Sequence, residues 1–79
     1  MNTEIHIGEL IQDILRESDH SVSWLARKMN CDRTNIYKLF ENQHIDTFQL
    51  IRISLILGYN FFIHYSDFIK SVEKSITKV

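Results

Sequence analysis

Proline is absent from this chain of 79 residues, glycine occurs twice, as Gly8 and Gly58, and cysteine once, as Cys31. Strand-and-turn architectures need those first two residues as punctuation, so their scarcity leaves helices as the natural reading. A single cysteine cannot form an internal disulfide, and it fits a reducing compartment; a cytoplasmic location is expected. Long apolar runs are missing as well. The stretch "LIRISLILGYNFFI" is interrupted by Arg52 and Gly58 and is too short to span a bilayer. The opening "MNTEIHIGEL" has two acids and no basic n-region, unlike a signal peptide, so a soluble protein without a membrane partner is expected.

An excess of one charge is also lacking, since the net charge is −1. That sum counts against a nucleic-acid partner, whose usual footprint is a basic domain. The distribution says more than the total. Residues 1–20 hold five acids and one arginine, residues 21–45 four bases and two acids, and residues 46–79 four bases and three acids. Positive charge therefore concentrates in the middle of the chain.

With 44% hydrophobic residues the chain can build one small core, near the lower limit for a domain without disulfides or metals. No linker, repeat or low-complexity segment divides it, so residues 1–79 are expected to be one domain. Ile7, Leu10, Ile11, Ile14 and Leu15 form one apolar stripe and predict a first helix from about Ile7 to Ser18. Ser21 is a candidate N-cap for a short helix that buries Val22, Leu25, Ala26 and Met29. Asn30 stops it, because Asn tolerates the left-handed conformation of a tight turn.

Asp32 can cap a third helix over 32–41, whose inward residues are Ile36, Leu39 and Phe40. Its outer face then carries Arg33, Thr34, Tyr37, Lys38 and Glu41, with Asn35 on the flank. After "ENQHI", Asp46 caps a fourth helix that ends at Gly58, and a fifth begins near Asn60 with Phe61, Phe62, Tyr65, Phe68, Ile69 and Val72 at helical spacing. Residues 70–79 either extend that helix or fray. The fold class expected is all-α, a compact bundle of about five helices.

Two short helices joined by a tight turn, over about residues 21–42, match the helix-turn-helix pattern. The segment "SVSWLARKMNCDRTNIYKLFENQHIDTFQLIRISLILGY" resembles the lambda-repressor and Cro type of DNA-binding domain, the XRE family, across roughly half the chain. Ala26 stands where that family places a small residue for close helix crossing, with Leu25 and Met29 as apolar neighbours. Ile36 and Leu39 fall at its core positions in the recognition helix. Leu50, Ile53, Ser54, Leu57 and Gly58 resemble its closing pattern, with Ser54 in place of the usual alanine. Two family glycines are replaced by Asn30 and Asn42, both able to take positive φ. Val22 stands where a phosphate-contacting glutamine is common, which leaves that contact to Ser21, Ser23 or a backbone N–H.

The resemblance implies a sequence-specific regulator of double-stranded DNA, most simply a repressor, with the helix 32–41 in the major groove. Arg33 could donate a bidentate pair to guanine, and Thr34 and Asn35 could read thymine or adenine. Tyr37 and Lys38 lie one turn on, within reach of bases or phosphates, while Asn42, Gln43 and His44 are candidates for phosphates. The competing reading is a protein-interaction module of the same fold, an antitoxin or accessory subunit, that binds a partner through aromatic C-terminal helices.

Enzymatic activity is not expected. The histidines His6, His20, His44 and His64 have no metal-ligand spacing, and no cysteine pair completes a zinc site. No glycine-rich phosphate loop or nucleophile with a nearby base occurs, so no metal, cofactor or small-molecule ligand is implied. Asp67 could pair with His64 across one helical turn, as ordinary surface chemistry. Cys31 in the turn reads as a small buried residue and not as a redox sensor, and Trp24 either as core folded over the first helix or as a contact for a partner or the sugar–phosphate backbone.

One surplus remains. Phe48, Ile51 and Leu55 form a second apolar stripe on the fourth helix, which the aromatic fifth helix can cover only in part. A dimer surface comprising Phe48, Ile51, Leu55, Phe61, Phe62 and Tyr65 is therefore expected, in a homodimer that would set two recognition helices one duplex turn apart.

Overall fold

These spacings become α1 (Ile7–Glu17), α2 (Val22–Lys28), α3 (Arg33–Glu41), α4 (Thr47–Leu57) and α5 (Phe62–Ile76) in a computed structural model that describes residues 5–76. No strand occurs among the described residues, and the all-α bundle of five helices agrees with the sequence reading. Helix α5 takes in most of the polar tail; residues 77–79 lie outside the described residues. Among those described, no helix is long and apolar enough to cross a membrane.

Local chemistry sets the helix boundaries. Ser21 Oγ accepts from the Trp24 N–H at 3.0 Å, and Asp46 Oδ1 from the Gln49 N–H at 2.8 Å, so both expected caps form. Asp32 stands at the N-cap of α3, yet its carboxylate accepts no capping hydrogen bond. An unforeseen cap comes from His6, whose Nδ1 accepts from the Glu9 N–H at 3.2 Å. Left-handed residues stop the helices: Asn30 at φ 59 after α2 and Gly58 at φ 64 after α4, as the sequence suggests, and Asp19 at φ 65 after α1, which it did not suggest.

Helix α3 is the middle of the packing, because α1 and α2 both make their main contacts with it. Ile7, Ile11 and Leu15 of α1, Leu25 and Ala26 of α2 with Met29 beyond it, and Ile36, Leu39 and Phe40 of α3 form a continuous buried cluster with Leu50 and Ile53 of α4. Each large side chain removed from water in this way contributes roughly 1.5–3 kcal/mol. No polar or charged residue is buried among those described.

The α1–α3 contact depends on Gly8. A Cβ there would lie against the backbone oxygens of Phe40 and Leu39, far inside contact distance. The same close approach lets the Gly8 N–H donate to the Asn42 carbonyl at 2.9 Å and the Ile7 N–H to the Gln43 carbonyl at 3.1 Å. Two otherwise unpaired donors of the first turn of α1 are thereby satisfied. This contact also overturns the expectation for Asn42. Its backbone is extended, φ −80 and ψ 128, and not left-handed, because that conformation turns successive carbonyls toward α1.

Beyond the core, α4 leads through a tight corner into α5. Phe61 is wholly buried at this corner, so it belongs to the core and not to a dimer surface, as its helical spacing had suggested. The His64 Nε2 lies 2.7 Å from the Tyr59 hydroxyl, a partner the sequence reading had not offered beside Asp67. Helix α5 leaves the second stripe of α4 open: Phe48 is 72% exposed and Leu55 77%.

Replacement of Gly8 by alanine is expected to cost at least the roughly 1–3 kcal/mol typical of overpacking, because backbone must move. Gly58→Ala has open space around it and should lose only the roughly 1–2 kcal/mol of a left-handed alanine. Urea unfolding of both variants checks the order; equal stability of Gly8→Ala and the parent would contradict the α1–α3 docking.

Candidate nucleic-acid interface

The turn over residues 29–32 separates α2 from α3 and fixes what α3 presents. Asn30 takes the left-handed conformation, and the Cys31 N–H donates to the Ala26 carbonyl at 2.9 Å, which closes the end of α2. Cys31 is half-buried in this turn. The chain then enters α3 with Ile36, Leu39 and Phe40 turned into the core. Those three positions dictate the rest of the helix.

Arg33, Thr34, Asn35, Tyr37, Lys38 and Glu41 are all exposed on α3. Tyr37, about half exposed, sets its ring edge-on to the buried Phe40, with centroids 6.2 Å apart. Ser21 is exposed and Ser23 half-buried at the start of α2. The Ser21 oxygen already accepts the capping bond, which leaves its hydroxyl hydrogen as a donor for a neighbour.

Tyr37 and Ser21 share one depression with Gln12, Arg16, His20 and Val22, at the meeting of α1, α2 and α3. Of the earlier candidates, the structure thus brings Tyr37 and Ser21 together, while Arg33, Thr34, Asn35 and Lys38 stand exposed along α3 outside this depression. Arg16 is held there by Asp13 at 3.2 Å, an exposed pair of small energetic value. The later candidates go elsewhere. Asn42 is exposed, but its carbonyl is committed to Gly8. Gln43 lines a depression with His6, Glu9 and Asp13, and His44 lies with Ile5, Tyr65 and Phe68 beside α5. Burial in that neighbourhood raises the Tyr65 hydroxyl above its ordinary pKa.

Some of the surroundings escaped the sequence reading. His20 stacks on Trp24 with ring centroids 3.6 Å apart and planes within 5°, and the Lys28 ammonium lies 5.7 Å from the same indole. Half-buried Trp24 therefore packs on the core and also carries a cation–π contact. The signal was present as the i, i+4, i+8 spacing of His20, Trp24 and Lys28. Arg27 and Lys28 close α2 with two exposed positive charges next to the turn, where they suit the helix dipole. Among the described residues, no group of three or more His, Cys, Asp or Glu could hold a metal ion.

The caps predict a split in stability. Ser21→Ala and Asp46→Ala should each cost about 1 kcal/mol, whereas Asp32→Ala, whose carboxylate caps nothing, should cost a few tenths at most. Thermal unfolding of the three variants reads the difference; a loss for Asp32→Ala equal to the others would show that its carboxylate does cap α3.

Comparison of the chain with protein-family models, with curated proteins and with solved structures finds no match in any of the three.

Proposed function

We propose that this chain is a sequence-specific binder of double-stranded DNA that inserts α3 into the major groove, as its resemblance to the lambda-repressor type implies, and acts as a repressor by occupying its site. The observation that carries the reading is the division of α3: Ile36, Leu39 and Phe40 fill the core, and Arg33, Thr34, Asn35, Tyr37 and Lys38 stand exposed opposite them. A helix fits the major groove, and residues near its N-terminus reach base edges. Arg33 and Thr34 occupy that N-terminal turn. Lys38 and Tyr37 then lie toward the phosphates, with Ser21 at the adjoining helix start and Arg27 and Lys28 supplying positive charge beside the turn. Two copies related by a two-fold axis would read a palindromic site and double the phosphate contacts of a chain whose net charge is only −1.

A second reading rests on a different observation. Phe48, Ile51 and Leu55 remain exposed, which favours a protein-interaction module that retains the fold and binds an unrelated partner.

Selection from a random-sequence duplex library, followed by sequencing at two salt concentrations, decides between them. Enrichment of a short site whose affinity falls as salt rises supports groove reading. Folded protein that enriches nothing would reject it. Given such a site, Arg33→Ala should relax specificity at one base position by roughly 1–3 kcal/mol, and Lys38→Ala should weaken all sequences alike and reduce the salt slope.

A further inference from the structure

Helices α1, α2 and α4 are each closed at their start by a side chain: His6, Ser21 and Asp46 accept from the backbone N–H three residues on. Asp32 does otherwise at the start of α3. Its backbone has the extended conformation of a cap, φ −84 and ψ 156, and its carbonyl accepts from the Asn35 N–H at 3.0 Å, yet its carboxylate accepts no capping bond. The same residue type at the start of α4 does cap, through Asp46 Oδ1 at 2.8 Å. Asp32 is exposed, and among the described residues neither it nor its neighbour Arg33 takes part in an ion pair or a side-chain hydrogen bond.

An uncommitted carboxylate is costly in this place. A phosphate beside α3 repels it, in a chain whose net charge is already −1, and only a hydrogen-bond donor on the DNA offsets that repulsion. The major groove offers such donors as the exocyclic amines of cytosine and adenine. Cytosine suits a carboxylate better. An ionised carboxylate only accepts, and adenine sets the acceptor N7 beside its N6 amine, while guanine and thymine turn acceptor oxygens toward the groove.

We propose, resting on the groove reading above, that Asp32 is a specificity-determining residue whose carboxylate accepts a hydrogen bond from the N4 amine of a cytosine, in the base pair next to the guanine that Arg33 reads. Position supports this role, because residues at the head of a groove helix are the ones that reach base edges. Asp32 is extended and Arg33 helical, and residues one apart do not share a face, so the two side chains address different pairs. Discrimination here comes from rejection as well as attraction. The same carboxylate set against the oxygen of guanine or thymine meets like charge and weakens binding to the wrong sequence.

Selection from random duplexes, run in parallel with the parent chain, Asp32→Ala and Asp32→Asn, tests the assignment. The parent is expected to enrich a site with a fixed cytosine in the pair beside the guanine. Asp32→Ala, with unchanged helical circular dichroism, should lose preference at that pair by roughly 5–150-fold, the range for one mismatched pair, and should hold unrelated duplex more tightly than the parent does. Asp32→Asn, which keeps a residue favoured at helix starts, should exchange the cytosine for adenine, since an amide both donates to N7 and accepts from N6. A site that both variants select unchanged would overturn the role of Asp32 and leave groove reading intact. So would a loss spread evenly over all sequences, the mark of a residue that only shapes the helix start, or a loosened position that is an A·T pair. A parent chain that enriches no site would overturn both readings together.

Discussion

Everything on the polar side of this molecule depends on how closely the first turn of α1 meets the last turn of α3. Gly8 has no Cβ to keep the Leu39 and Phe40 carbonyls away, and the gap it leaves is filled by backbone. Helix α1 gains acceptors for two of its orphan N–H groups, and the loop after α3 gains donors for two carbonyls. The signs are right as well, since the positive end of one helix dipole meets the negative end of another. That contact fixes the tilt of α3 against α1. With Ile7, Ile11 and Leu15 packed beneath, α3 cannot turn about its own axis without opening the core.

A fixed α3 is what gives its exposed residues meaning. The core takes Ile36, Leu39 and Phe40, and helical geometry then assigns Arg33, Thr34, Tyr37 and Lys38 to the outside with no further choice. The turn at Asn30 adds the second constraint, because it brings the basic end of α2 beside the start of α3. Groove reading, as proposed, needs such rigidity. A recognition helix free to rotate would lose the directional hydrogen bonds on which base discrimination rests.

Much of the fold was legible in the sequence, for identifiable reasons. The helices followed from apolar residues at i, i+3 and i+4, and the Ser21 and Asp46 caps and the Asn30 and Gly58 stops from local side-chain and backbone preferences. What the sequence hid was long-range. The role of Gly8 needs a partner more than thirty residues away, and the extended backbone of Asn42 is the other half of that contact. Phe61 kept perfect helical spacing with the surface aromatics, yet it precedes α5 and fills the corner, so periodicity alone assigned it to the wrong side. The candidate site divided in the same way. Residues within α3 fell where their spacing put them, whereas Gln43 and His44, in a loop without periodicity, turned toward α1 and α5.

The weak net charge is the hardest fact for the DNA reading, and distance resolves part of it. Charges are screened over about 8 Å at physiological ionic strength, so a phosphate near α3 responds to neighbours and not to the sum over the chain. The neighbours include Arg27, Lys28, Arg33 and Lys38, against Asp32 and Glu41, and the densest acidic run lies within residues 1–20. One such surface makes few phosphate contacts and would hold DNA loosely. Two surfaces on one rigid body behave differently, since the second binds at the effective concentration set by the first, which can raise overall affinity by roughly 10²–10⁴ without any new contact. In the proposed DNA reading, two copies about a two-fold axis together supply the phosphate contacts that one copy of net charge −1 makes sparsely.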